Sequence, residues 1–297
     1  MRVWALVLMA TLALLAPLPA WADPVHGFRF HIVTGDDSAQ TRRIADDLYK
    51  RLVPLSAMFR TELAQRRRMV YIAIGPVALR DVAARKDDCV VISAFTSSQV
   101  WRSVVAGAAP RRAQAMTAVY AEPAPADQLR LVELLYKRKV TVAAIIGLDT
   151  GYLKPLLRGA AALEELAPGE DINRALNNIA AHQVLLAMPD SAVYNADNIR
   201  NILLSTYRHK QGVIGFSADM VKAGALASTW SSIEDINAQV ADMAATFVAS
   251  GELAPPQFPR YFSTIVNLGV ARSLDIDAAA AANAEAFAHH PPARPRR

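Results

Sequence analysis

Short β-rich runs alternate with helical segments along most of the chain, and nearly every run ends in a turn containing Gly, Pro or Ser. This alternation constrains the fold more than any other feature. Runs of about four to eight apolar residues followed by helical patterns imply a parallel sheet covered by helices on both faces. The first block has strands over Phe28–Val33, Met69–Ile74, Val90–Phe95 and Met116–Tyr120. Thr34–Ser38 opens a helix to about Val53, and Gly75-Pro76 opens one through Ala84 with Pro at its first position. Thr96-Ser97-Ser98 caps a third, to about Val105.

Glu122-Pro123-Ala124-Pro125 reads as a crossover, and a helix with Leu129, Val132, Leu135 and Tyr136 on one face follows. The cycle then restarts. Strands are expected over Val140–Ile146, Val184–Met188 and Gly212–Gly215. Helices are expected over Tyr152–Leu163, Asp171–Ile179, Ala192–Tyr207 and Ala218–Ala227. Ile233, Ile236, Val240, Met243 and Phe247 recur at helical spacing and define a long amphipathic helix ended by Gly251. Pro255-Pro256 and Pro259 lead into an extended segment to Val266, and Asn267 begins a short helix. The Ala-rich, then Pro/Arg-rich tail from Ala278 to Arg297 is expected to be flexible.

The first 22 residues read as a secretory signal peptide. Arg2 is followed by an apolar run to Ala16, and Ala20-Trp21-Ala22 supplies the small-x-small cleavage pattern. A mature chain beginning near Asp23 would be periplasmic. Cys89 is the single cysteine and opens an apolar run, which suits a buried small hydrophobe rather than a nucleophile. The formal charge is +5, but Arg66-Arg67-Arg68 and Arg111-Arg112 lie at element edges. Without a basic stripe interleaved with aromatics, and with export expected, nucleic acid is not a partner. No phosphate-binding glycine loop of either nucleotide type occurs, and the isolated His182 and His209 lack metal-ligand spacing. Neither cofactor nor metal is expected.

Ligands of open parallel sheets bind at the carboxyl ends of strands, beside helix N-termini. That rule selects the candidate residues. Thr96, Ser97 and Ser98 offer hydroxyls and helix N–H groups to a carboxylate, or simply cap a helix. Asp190 could receive a ligand ammonium or cap the helix after it. Asp36, Asp37 and Ser38 occupy the first strand-end loop, with ligand contact and helix capping both open. Tyr194 and Phe216 could stack on an apolar ligand or belong to the core. Asp149, Thr150 and Ser217 complete the set. Gly215-Phe216-Ser217-Ala218-Asp219 has the position of a hydrolase nucleophile turn, but Asp219 replaces the final glycine. A secreted α/β hydrolase is therefore the minor alternative to a non-enzymatic binding protein.

Four stretches, in order over residues 115 to 277, carry a resemblance. They are Gln128-Leu129-Arg130-Leu131-Val132-Glu133-Leu134-Leu135, Leu185 through Asn195 with Met188-Pro189-Asp190-Ser191, Val213 through Leu226 with Gly215-Phe216-Ser217, and Val266-Asn267-Leu268-Gly269 through Ile276. Together they resemble the exported solute-binding proteins of the ABC-transporter family that includes tryptophan- and tyrosine-binding members. The resemblance implies a type I periplasmic-binding fold, two Rossmann-like lobes with parallel sheets joined by three crossovers around an interlobe cleft. It places residues 23–122 and about 228–255 in the first lobe, and 123–227 and about 256–277 in the second. It also implies a monomer that binds a small amino-acid-like solute by lobe closure and presents it to an inner-membrane ABC permease. A membrane sensor reading the same closure is the alternative partner.

Overall fold

A computed structural model of the chain describes residues 29–58 and 69–292. The expected signal peptide, Arg66-Arg67-Arg68 and the arginines at 294, 296 and 297 lie outside the described residues.

The first sheet comprises β1 (Arg29–Thr34), β2 (Met69–Ile74), β3 (Cys89–Thr96) and β4 (Met116–Tyr120). Its strands are parallel and stand in sequence order. They alternate with α1 (Ala39–Met58), α2 (Gly75–Ala84), α3 (Ser98–Ala106) and the short α4 (Pro110–Gln114). β2 and β3 are buried on both faces, as their largely apolar runs require. Val70, Ile72, Val90 and Ile92 face one layer with Ile44 and Leu48 of α1. Tyr71, Ala73 and Val91 face the other with Leu79 and Val82 of α2 and Trp101 of α3. Each fully buried aliphatic side chain contributes about 1.5–3 kcal/mol.

The second half adds α5 (Pro125–Tyr136), β5 (Val142–Ile146), a 3-10 turn (Gly151–Leu153), α6 (Lys154–Leu157), β6 (Ala162–Glu165), α7 (Ile172–Asn178), β7 (Val184–Leu186), α8 (Ile199–Arg208), β8 (Gly212–Ile214), α9 (Ala218–Ala223) and β9 (Ala227–Trp230). Then come α10 (Ile233–Ser250), β10 (Ser263–Val266), α11 (Leu268–Ser273) and α12 (Ala278–Glu285). The second sheet has the order β10-β9-β8-β7-β5-β6. All its pairs are parallel except β10 with β9. Strand order reverses around β5, which has β6 on one side and β7 on the other. The first sheet has no such reversal among the described residues.

Three connections join the halves: residues 121–124, residues 231–232 and residues 251–262. α10 crosses back to pack Ile236, Val240, Met243 and Phe247 against α1 and the first sheet. Ser232 and Asp235 form a capping box at its start, and Gly251, at φ 74°, ends it in the left-handed region that glycine tolerates. The third connection runs beside β4, where Gln257 N–H donates to the Ala118 carbonyl at 2.8 Å.

Several expected elements differ. The helix expected over Tyr152–Leu163 breaks after Leu157, and β6 begins at Ala162. Ala-Leu-Glu-Glu carries no β signal; its glutamates suit an edge strand. The helix expected over Ala192–Tyr207 starts only at Ile199. α9 ends early at Gly224, at φ 126°, which frees Ala227–Trp230 to enter the second sheet. Residues 228–230 therefore lie in the second sheet and not in the first lobe. The tail from Ala278 is a packed helix over its first turns, with Ala280, Ala281 and Ala284 buried. An all-alanine face has no polar contrast for periodicity to detect, yet its small residues let α12 approach α5 closely. Cys89 is buried beside Arg112, and burial pushes its thiol up from the ordinary value. Among the described residues no helix is long and apolar enough to cross a membrane.

Candidate functional site

The carboxyl end of β3 is irregular. Its register with β4 shifts between Ser93 and Thr96, and Phe95 takes φ 56°, a left-handed value that a bulky residue adopts only under strain. This bulge re-aims the chain into the α3 N-terminus. Ser97 caps α3 by accepting from Val100 N–H at 3.4 Å. Thr96 is buried, its hydroxyl making a long bond to the Ala94 carbonyl.

The α3 N-terminus reaches across to the loop after β5. Ser98 Oγ bonds the Tyr152 hydroxyl. Gln99 Nε2 donates to Asp149 Oδ2 at 2.8 Å, and Ser191 Oγ donates to the same oxygen at 2.7 Å. The Arg102 guanidinium lies 4.4 Å from the centre of the Tyr152 ring. Strand-end turns of the two sheets thus touch each other directly, which brings Ser98, Asp149 and Ser191 to one place.

Asp190 and Thr150 lie just behind. Asp190 is 1% exposed. One carboxylate oxygen accepts from Gly147 N–H at 3.1 Å and Thr150 Oγ1 at 2.7 Å. The other accepts from Ala192 N–H at 3.0 Å and Val193 N–H at 3.3 Å. With both oxygens supplied from within, this carboxylate braces the β5 and β7 loops. Tyr194 and Phe216 stack edge-to-face at 5.7 Å beside it. Burial raises the Tyr194 phenol, and its hydroxyl has no partner among the described residues.

Asp36 and Ser38 stand apart from this cluster. Asp36 accepts from Ser38 N–H at 2.8 Å, which lowers its carboxyl below the ordinary range, and Ser38 Oγ accepts from Thr41 N–H at 3.2 Å. Asp37 pairs with Arg42 at 3.2 Å. All three are exposed and act within their own loop and α1. Ser217 caps α9 by accepting from Met220 N–H at 3.3 Å. His289 is held far along the chain, opposite Phe262 and against Tyr261.

Sequence reasoning missed three residues of the cleft. Glu122, two residues beyond β4, is 4% exposed and accepts from Ser98 N–H at 2.9 Å and from Ser98 Oγ. The strand-end rule that selected its neighbours would have found it. Gln128 is buried at the start of α5, donating to the Gly215 carbonyl at 3.0 Å and accepting from Thr229 N–H at 3.2 Å. Tyr152, the first residue of an expected helix, lies in the turn Gly151–Leu153. Glu122 and Gln128 line a crevice with Leu153, Met188, Phe216 and Phe258. In this conformation its walls exclude a water-sized sphere. A wider groove of about 490 Å³ lies at the ends of β5 and β6, but its charges are already matched, Lys154 with Glu165 and Arg174 with Glu170, both at 2.7 Å.

Burial raises the Glu122 carboxyl, opposed by the Ser98 hydroxyl and N–H. A carboxyl raised on folding costs nothing below the unfolded carboxylate range; the cost grows as pH climbs from there towards the raised value and is constant above it. Glu122→Gln should therefore melt above the parent at about pH 8, with the two converging towards about pH 4. Thermal melts across that range check it; a constant gap would refute the shift.

No family model matches the sequence, and no curated protein sequence matches it. Solved structures do. A ligand-free, open substrate-binding protein with adhesive properties from Clostridium difficile is 12% identical with a TM-score of 0.57, covering 84% of this chain and 95% of that one. A conserved domain protein from Vibrio cholerae is 17% identical with a TM-score of 0.51, covering 86% and 97%. An ABC domain in complex with L-Trp from Streptococcus pneumonia is 14% identical with a TM-score of 0.50, covering 84% and 95%. Two α/β lobes, the three connections between them and these likenesses together establish that the chain has the type I periplasmic-binding fold, the fold of ABC-transporter substrate-binding proteins.

Proposed function

We propose that this protein is a periplasmic solute-binding component of an ABC-type uptake system. It holds a small, amino-acid-like organic solute between its lobes, and the closed form docks on an inner-membrane permease. The observation that carries this reading is the meeting of strand-end turns from separate sheets, Ser98 with Tyr152 and Gln99 with Asp149. Both sheets end in one gap, so a guest there touches both lobes only when they are shut, and closure and binding are coupled. Binding rather than turnover fits Ser217, whose hydroxyl is engaged as a helix cap. The leader read in residues 1–22 supports export.

The test is a thermal-shift screen of amino acids, amides, amines and carboxylates, followed by small-angle scattering. A solute at a hundredfold excess over its Kd stabilises the native state by about 2.7 kcal/mol. That is a rise of several degrees in Tm for a chain of this size. The same solute should reduce the radius of gyration. A screen in which nothing moves either quantity would end the proposal.

A further inference from the structure

We propose that the crevice selects a small organic amine, with Glu122 as the counter-charge of its ammonium and no place for a ligand carboxylate. This rests on the solute-binding reading above, keeps the amino group of its amino-acid-like ligand and drops the carboxylate.

The α3 N-terminus offers the N–H and hydroxyl donors that a ligand carboxylate would use. The protein fills that position with its own carboxylate: Ser98 N–H lies 2.9 and 3.2 Å from the two Glu122 oxygens, and Ser98 Oγ bonds the nearer one. Glu122 is almost fully buried, yet it has no ion-pair partner within 4 Å among the described residues. Arg102, a nearby cation, lies over the Tyr152 ring instead. The carboxyl is bonded by Ser98 and by its own backbone, with no cation beside it, so any negative charge there is uncompensated until a cation arrives.

The remaining walls say what body accompanies the cation. Leu153, Met188, Phe216 and Phe258 are apolar and suit an apolar or aromatic body attached to the ammonium. Gln128 lines the crevice too, but its amide is spent on Gly215, Ser228 and Thr229. No lining residue is basic. A ligand carboxylate would meet Glu122 with nothing to neutralise either. Asp190 does not compete for the ammonium, because four donors from the chain already occupy its oxygens.

The experiment uses three probes with one body: phenethylamine, L-phenylalanine and 3-phenylpropionate. Each is titrated into the protein and into Glu122→Gln by calorimetry and thermal shift. Expected is the order amine, then amino acid, then no response to the acid, with at least tenfold between the first two. Glu122→Gln should weaken the amine at least tenfold while melting no lower than the parent, which separates lost binding from lost folding. Binding of the acid as tight as the amine, or an amine affinity unchanged in Glu122→Gln, overturns this inference and leaves the solute-binding reading standing. If no probe binds and no neutral or charged solute of the wider screen binds, both fall.

Discussion

Asp190→Ala should cost about 3–5 kcal/mol of stability, by analogy with removing one partner of a buried charged network. The reason is the number of groups left stranded. Thr150 Oγ1 and the N–H groups of Gly147, Ala192 and Val193 all point at this carboxylate, in a region closed to water. Local packing is built around it as well: a Cβ at Gly147 would stand 2.5–2.8 Å from the Asp190 carboxylate atoms, so only glycine permits the approach. At about 2–4 °C per kcal/mol, Tm should fall by roughly 10 °C. Asp190→Asn should lie between the two. Its amide would meet two donors, of which only the Thr150 hydroxyl can turn round and accept. Thermal melts followed by circular dichroism decide the matter. Parent-like melting of the alanine variant would show that the brace carries no load. A drop in ligand affinity in this variant would then be read with its melting, since the loops it ties together, after β5 and β7, are those that face the first lobe.

How far the sequence foretold this arrangement depends on the kind of signal each element carries. β2 and β3 are legible because strands buried on both faces are predominantly apolar, as Met69–Ile74 and Cys89–Thr96 are apart from Ser93 and Thr96. α10 is legible because one face is buried and the other wet, so its period shows. β6 and α12 are not, for opposite reasons. An edge strand of Ala-Leu-Glu-Glu takes its shape from its neighbour β5 rather than from its own residues. α12 carries alanine on its exposed as well as its buried positions, so it shows little period and reads as low complexity. The site divides in the same way. The strand-end rule found Ser98, Asp149, Thr150 and Asp190, which do gather at one place. The same rule also selected Asp36 and Ser38, which the structure keeps in a local cap. The rule also covers Glu122, two residues beyond β4, but a glutamate before Pro123 and Pro125 reads as part of a crossover. Only tertiary structure shows α3 placing its N-terminus on that carboxylate.

Opening the interlobe contact should cost the protein at least tenfold in affinity for the solute that stabilises it. Tyr152 and Gln99 are the side chains to change, since both reach across the gap and neither belongs to a core cluster of its own lobe by more than its edge. Tyr152 bonds Ser98 and lies under Arg102; Gln99 bonds Asp149. Each hydrogen bond is worth about 0.5–1.5 kcal/mol and the cation–π contact about 0.5–1 kcal/mol at an exposed site. Tyr152→Ala with Gln99→Ala should therefore shift the closed-to-open ratio by about 1.5–4 kcal/mol, a factor of roughly ten to a thousand. Ser98 is left intact because it also holds Glu122, and changing it would mix closure with ligand charge. Small-angle scattering should show a larger radius of gyration without ligand. Calorimetry should show the weaker affinity, and the single variants should each account for part of it. Because these contacts lie between lobes and not within them, the melting temperature should move by only a few degrees. A double variant with the parent's radius and affinity would mean that closure is held by the three connecting segments themselves. A double variant that unfolds would mean that the two lobes depend on each other for folding, in which case the contact is part of one continuous core and not a separable latch.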